Sequence, residues 1–295
     1  MLPESETDVS RRKDAHRRSG IASVDTHAHV FRRGLPLAEH RRYAPDYDAP
    51  LHAYLAELDV HGITRGVLVQ PSFLGTDCGY LLNALRSARD RLRGVAVIER
   101  DCEPHTLADM AEAGIVGIRL NLIGHADNPL DHWVSARTLA HVRELAWHVE
   151  VHAEAGRLEG IVAPLLEAGV NVVVDHFGRP DPALGASDAG FRRLLEFAGS
   201  ERVWVKVSGA YRNWPDHDVV EREAREAFDL LSDAFGLHRL MWGSDWPHTQ
   251  FEKSEEMSSA LDLLHALIPD PEERNVVLTH TPASLYMFDH EAANQ

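Results

Sequence analysis

Eight short runs of β-forming residues recur along this chain, each separated from the next by a stretch with helical spacing. The runs are IASVDTHAHVF (21–31), ITRGVLVQPS (63–72), LRGVAVIE (92–99), GIVGIRLNL (114–122), WHVEVHAE (147–154), NVVVDHFG (171–178), RVWVKVSG (202–209) and RLMWGSDWP (239–247). Their length and β-branched content predict strands. The segments between them, from LHAYLAELDVHG through WVSARTLAHVRELA to VVEREAREAFDLLSDAFG, predict helices, several stopped by glycine, and residues 253–267 and 271–285 supply closing helices. This count predicts an α/β chain folded as a single-domain (β/α)8 TIM barrel over residues 21–288. A doubly wound open sheet is the alternative, but neither GxGxxG nor a P-loop follows the first run.

Charge narrows the partners. The formal net charge of −16 argues against binding a nucleic-acid backbone, and an anionic substrate would need locally placed arginines. The one basic cluster, Arg11, Arg12, Lys13, Arg17 and Arg18, lies in residues 1–20, which are expected to form a disordered tail rather than a nucleic-acid arm. Two cysteines, Cys78 and Cys102, provide neither a disulfide framework nor a CxxC metal pattern. With no apolar run long enough for a membrane span and no secretion signal, the expected compartment is the cytoplasm. A homo-oligomer is compatible with the sequence, which locates no interface.

A barrel of this kind carries its chemistry where strands end and βα loops begin. His27 and His29, two apart in the first run, would share the interior face near the mouth. The fifth run ends in His152, the sixth in Asp175 and His176, and the eighth in Asp245. His27, His29, His152 and Asp245 offer three nitrogens and a carboxylate, a set suited to zinc or manganese, leaving His176 free as an acid or base. Structural, hydrogen-bonded histidines are the plain alternative for each. The chain has only Lys13, Lys206 and Lys253, none on the fourth strand, so no carboxylated lysine can bridge two metals there, and at most one metal is expected.

Arg119 and Asn121 share one face of the fourth strand, and an arginine aimed into a barrel mouth needs an anion, either a substrate carboxylate or an internal partner. Arg212, in SGAYRNW, is a second candidate for a substrate carboxylate. Tyr43 and Ser72 lie in loops that would reach the same rim, and His248 is close enough to Asp245 to hold it or a substrate group.

VDTHAHVF, RRYAPDYDAP, GVLVQPSFLGTD, LRGVAVIER, GIRLNL, VVVDHFGRPD, VWVKVSG and LMWGSDWPHTQ, in this order, resemble the amidohydrolase superfamily branch that contains 2-pyrone-4,6-dicarboxylate lactonase. The resemblance implies that Asp245 activates water, that His27, His29 and His176 surround the reacting carbonyl, and that Arg119 and Arg212 hold substrate carboxylates with Tyr43 nearby. It also implies work without a metal. Two positions depart from the pattern: His152 stands where that lactonase has a tyrosine, and the branch's second arginine after the fourth strand is replaced near His125. His152 is the ligand type of metal-dependent relatives, so either no cofactor or one divalent zinc or manganese is expected. The expected activity is hydrolysis of a small anionic lactone, 2-pyrone-4,6-dicarboxylate or a related lactone of aromatic catabolism. A metal-dependent decarboxylase, a sugar lactonase and a non-catalytic binding barrel are the competing readings.

Overall fold

The computed structural model describes residues 23–288 except His40 and His217; the basic tail at residues 1–20 lies outside them. Eight parallel strands, β1 (Val24–Ala28), β2 (Arg65–Val69), β3 (Leu92–Ala96), β4 (Ile115–Asn121), β5 (His148–His152), β6 (Asn171–Val174), β7 (Val203–Ser208) and β8 (Leu240–Gly243), pair in chain order. A parallel bridge from Ala28 to Trp246 joins the first strand to the end of the last. The sheet therefore closes as a (β/α)8 barrel, as the eight runs predict.

Two apolar clusters hold this arrangement. The larger fills the space between the outward faces of the strands and the helices around them, with Leu68, Ile118, Val149 and Val151 meeting Leu85, Leu158 and Phe191. The smaller is a plug that includes Val24, Val67, Val95, Val173 and Met241 together with Tyr286 and Phe288 from the C-terminal segment. Burial of so much branched side chain is the main favourable term for a chain of this size. The predicted helix WVSARTLAHVRELA is broken in two. Val134 is extended, and Ser135 caps a new helix, Ala136–Glu144, by accepting from the Thr138 amide. A serine that satisfies an orphan amide favours a helix start over continuation.

A bulge in β1 positions the site. Between Asp25 and Ala28 this strand advances three residues while β2, from Gly66 to Leu68, advances two. An extra residue reverses the alternation of faces. Val24 points into the plug, yet Asp25 turns outward, where Tyr54 Oη (3.0 Å) and Ser244 Oγ (2.6 Å) donate to it. Beyond the bulge His27 and His29 turn inward. A second irregularity, Ile115–Gly117 against Gly94–Val95, is followed by Arg119 and Asn121 on the inner face of β4. Gly117 leaves room there: a Cβ would fall 2.5 Å from the ring of His148.

Candidate active site

The strand ends and βα loops enclose a cavity of about 200 Å³. His29, His152, His176 and Asp245 line it, together with Arg119 and Arg212. Tyr43 and Ser72 reach it from their loops. Two arginines that the sequence reading did not single out, Arg42 and Arg179, complete a ring of four guanidiniums. His27 lies beneath the cavity floor, fully buried, with its ring 4.9 Å from that of His29 and 4.8 Å from that of His176. His248 sits behind Asp245, buried, with Nδ1 3.1 Å from Tyr211 Oη.

Asp245 is the most constrained of these groups. Its Oδ2 accepts from Tyr211 Oη (2.8 Å) and from Arg212 Nε, while Oδ1 faces His27 Nε2 at 3.9 Å and His29 Nε2 at 3.8 Å. Burial pushes its carboxyl up, but Arg212, with His176 and His27, outweighs burial and holds it well below the usual carboxylate range. It is ionised across the neutral range. Arg212 thus pairs with Asp245, and its other nitrogens reach Thr249 O and Oγ1.

The backbone here is unusual. Asp245 has φ 63°, His176 50° and His248 58°, all in the left-handed region that side chains disfavour. Such geometry persists where surroundings over-determine it. The Asp245 amide donates to His27 O and the His248 amide to Asp245 O, both at 2.7 Å. Gly209 packs against the same groups: its φ is 55°, and a Cβ would lie 2.9 Å from His176 Nδ1 and 3.0 Å from Asp245 Oδ2.

Below the floor lies a charged layer that sequence reasoning missed. Lys206 on β7, Glu150 on β5, Asp175 after β6 and Arg119 on β4 are all buried. Lys206 Nζ donates to Glu150 Oε2 (2.5 Å) and to His27 Nδ1 (3.1 Å). Arg119 binds Asp175 Oδ2 through NH2 (2.7 Å) and Nε (3.2 Å), lies 3.3 Å from Glu150 Oε1, and its NH2 reaches His152 Nδ1 at 3.3 Å. Burial raises Glu150 to about 7, with Asp175 adding to the shift, whereas Arg119, His27 and Lys206 outweigh burial at Asp175 and keep it well below its usual value. Arg119, expected at a substrate carboxylate, has internal carboxylates as partners and only an edge on the cavity. A signal for this layer was present: HVEVH puts His148, Glu150 and His152 on one face at period two.

The protons on the histidines follow from their partners. Burial drives His27 and His152 well below the ordinary histidine range, His29 to about 4 and His176 to about 3, so all four are neutral at pH 7. A neutral imidazole carries one N–H. Lys206 and Arg119 can only donate, so Nδ1 of His27 and Nδ1 of His152 accept, and both rings carry the proton on Nε2. His29 is the reverse. Its Nδ1 lies 2.7 Å from the Val69 carbonyl, which can only accept, so Nε2 is bare.

Comparison with known proteins places this site. The model of a family described as Amidohydrolase matches residues 24–288. The chain belongs to the amidohydrolase family. It is 32% identical to a 4-sulfomuconolactone hydrolase of Rhizobium radiobacter over 97% of this chain and 99% of that one. It is 30% identical to a 2-pyrone-4,6-dicarboxylate hydrolase of Comamonas testosteroni over 90% of each chain. A crystal structure from Pseudomonas putida, assigned as a 2-pyrone-4,6-dicarboxylic acid hydrolase, superposes with a TM-score of 0.85 at 46% identity, covering 91% of this chain and 98% of that one.

The amidohydrolase family also includes metal-bound members. A Burkholderia multivorans amidohydrolase structure with bound zinc shares the fold at 23% identity and a TM-score of 0.73, over 90% of this chain and 99% of that one. Among the described residues three groups have donor atoms within 4.8 Å of one another: His27, His176 and Asp245; His152, Asp175 and His176; and His27, Glu150 and Asp175. The set read from sequence, His27, His29, His152 and Asp245, is not one of these groups. Distance alone would admit an ion. The protons do not, because every group contains His27 or His152, whose Nε2 is protonated and whose Nδ1 is taken by a cation. Ligating histidines ordinarily give their second N–H to a carboxylate or carbonyl. Here an ammonium and a guanidinium stand in that place, and the donor set as arranged does not fit a divalent ion.

Proposed function

We propose that this protein is a lactone hydrolase that opens a small, multiply anionic lactone of the 2-pyrone-4,6-dicarboxylate or 4-sulfomuconolactone class without a resident metal. One observation carries the anionic substrate. Of the four guanidiniums around the cavity, Arg119 and Arg212 are paired with carboxylates, whereas Arg42 and Arg179 have none within ion-pair distance among the described residues. Arg179 has only Asn213 Oδ1, at 2.8 Å. Burial, with Arg212 and Arg42 nearby, lowers it to about 10. Like charges held together in a partly desolvated cavity call for a bound anion, and a ring with two acidic substituents supplies two.

Asp245 then takes a proton from water, and the resulting hydroxide adds to the lactone carbonyl carbon. N–H groups aimed at the cavity, such as His152 Nε2–H, receive the negative charge on the carbonyl oxygen. The ring C–O bond breaks as the tetrahedral centre collapses, and the proton on Asp245 passes to the leaving oxygen. Tyr43, Ser72 and His248 are proposed to shape and orient this site rather than to move protons. The cysteines, both free and buried, support a cytoplasmic setting, and among the described residues no helix is long and apolar enough to cross a membrane.

The test follows the absorbance of 2-pyrone-4,6-dicarboxylate with purified protein before and after chelation. Loss that survives chelation is expected. Activity abolished by chelation and restored by zinc or manganese would overturn the metal-free part. Carbon dioxide release in place of ring opening would replace the lactonase reading with the decarboxylase one.

A further inference from the structure

We propose that Lys206 is a positioning residue that commits His27 to its Nε2–H form and so makes the floor of the site a one-donor, two-acceptor seat for the attacking water. The inference rests on the hydrolytic reading above but is measured independently of it. Three atoms converge on the floor. His27 Nε2, 3.9 Å from Asp245 Oδ1, has no hydrogen-bond partner within the protein, nor does Asp245 Oδ1, and His29 Nε2 lies 3.8 Å from the same oxygen. An oxygen set between them meets an N–H from His27, a bare nitrogen from His29 and a carboxylate. A water molecule has the matching complement: it accepts once and donates twice. Its proton toward Asp245 is the one that leaves, and its lone pair opposite is free to attack.

The HxH pair is therefore not a symmetric pair. Two histidines two residues apart hold their protons on opposite nitrogens, because one leans on a backbone carbonyl and the other on an ammonium. Without Lys206 the Nδ1 of His27 would face only acceptors, Asp175 Oδ1 at 3.3 Å and Glu150 Oε1 at 3.7 Å. Neither of those oxygens has a hydrogen-bond partner in the structure. The proton would then move to Nδ1, and Nε2 would become a third acceptor that repels the water oxygen. Lys206 itself reaches no substrate, since it is fully buried below His27.

The experiment is nitrogen NMR on protein labelled with 15N-histidine, His27 being assigned by its loss in His27→Gln. In the unmodified protein His27 should show a pyrrole-type Nε2 and a pyridine-type Nδ1, with His29 reversed. The opposite pattern at His27 would overturn the proposal without any substitution of Lys206. In Lys206→Met the His27 pattern should invert while kcat falls about 10²-fold, the scale of losing one aimed donor, and KM stays within about twofold. An unchanged tautomer, or an inverted tautomer with unchanged kcat, would equally overturn it. Should Lys206→Met not fold, Lys206→Met with Glu150→Gln removes one charge of each sign and carries the same readouts. Failure of the wild-type protein to open any lactone would remove the proposed function yet leave the tautomer result standing.

Discussion

The floor and the rim of this barrel are both crowded with charge, and they treat it in opposite ways. On the floor, Lys206 and Arg119 close on Glu150 and Asp175, and every one of these side chains is buried. On the rim, Arg42 and Arg179 face the cavity without a carboxylate. The lesson is that an arginine's place in the barrel, not its presence in a motif, decides whether it serves the fold or the ligand. A closed ionic layer is rigid because removing one member strands the others. An open one is unfinished until a ligand arrives.

The largest effect should come at the junction of the two layers. Asp245→Asn removes the base with little change of shape and is expected to lower kcat by about 10³-fold, within the span of general-base losses. Near-normal turnover in steady-state assays of that variant would detach the chemistry from this residue. Next comes Arg119→Met, which leaves Asp175 buried without its cation and should cost about 3–5 kcal/mol of stability, measured by denaturant unfolding. A raised KM with unaltered stability would instead move Arg119 into the rim.

Acid should separate the layers as well. Six buried histidines, His27, His29, His148, His152, His176 and His248, have lowered values in the folded state. Below about pH 6.5 the unfolded chain takes up protons that these folded rings refuse, so stability falls with pH down to about 4. Asp25 and Glu150, raised by burial to about 6 and about 7, act in the opposite sense, because the folded state protonates first. Six outweigh two, and Tm should drop steadily from pH 6.5 to 4. A flat Tm over that window would contradict neutral buried rings. The smallest effect is expected from Arg179→Met, a rise in KM of about tenfold, equivalent to about 1.4 kcal/mol, with kcat nearly unchanged. A fall in kcat alone would show that the rim also acts in the chemistry.

The barrel was legible because eight β-branched runs leave few ways to close a sheet, and the site was legible because polar residues at strand ends break that pattern. The parity change in β1 was not. Read with strict alternation, Asp25 shares a face with His27, and only the three-against-two pairing with β2 separates them. The partners of Arg119 were equally hidden: the sequence offered a substrate or an internal anion, and Glu150 drew no attention inside WHVEVHAE. Lys206 could be noticed only as a lysine absent from the fourth strand, whereas its meaning depends on which ring nitrogen it touches.

The left-handed backbone at His176, Asp245 and His248 carries a consequence for anyone reshaping this protein. Glycine adopts that conformation freely, whereas a side chain there costs about 1–2 kcal/mol per residue. A library screened for thermal tolerance alone should therefore drift toward glycine at these three positions, and its hardiest survivors would be the ones that had forgotten their chemistry.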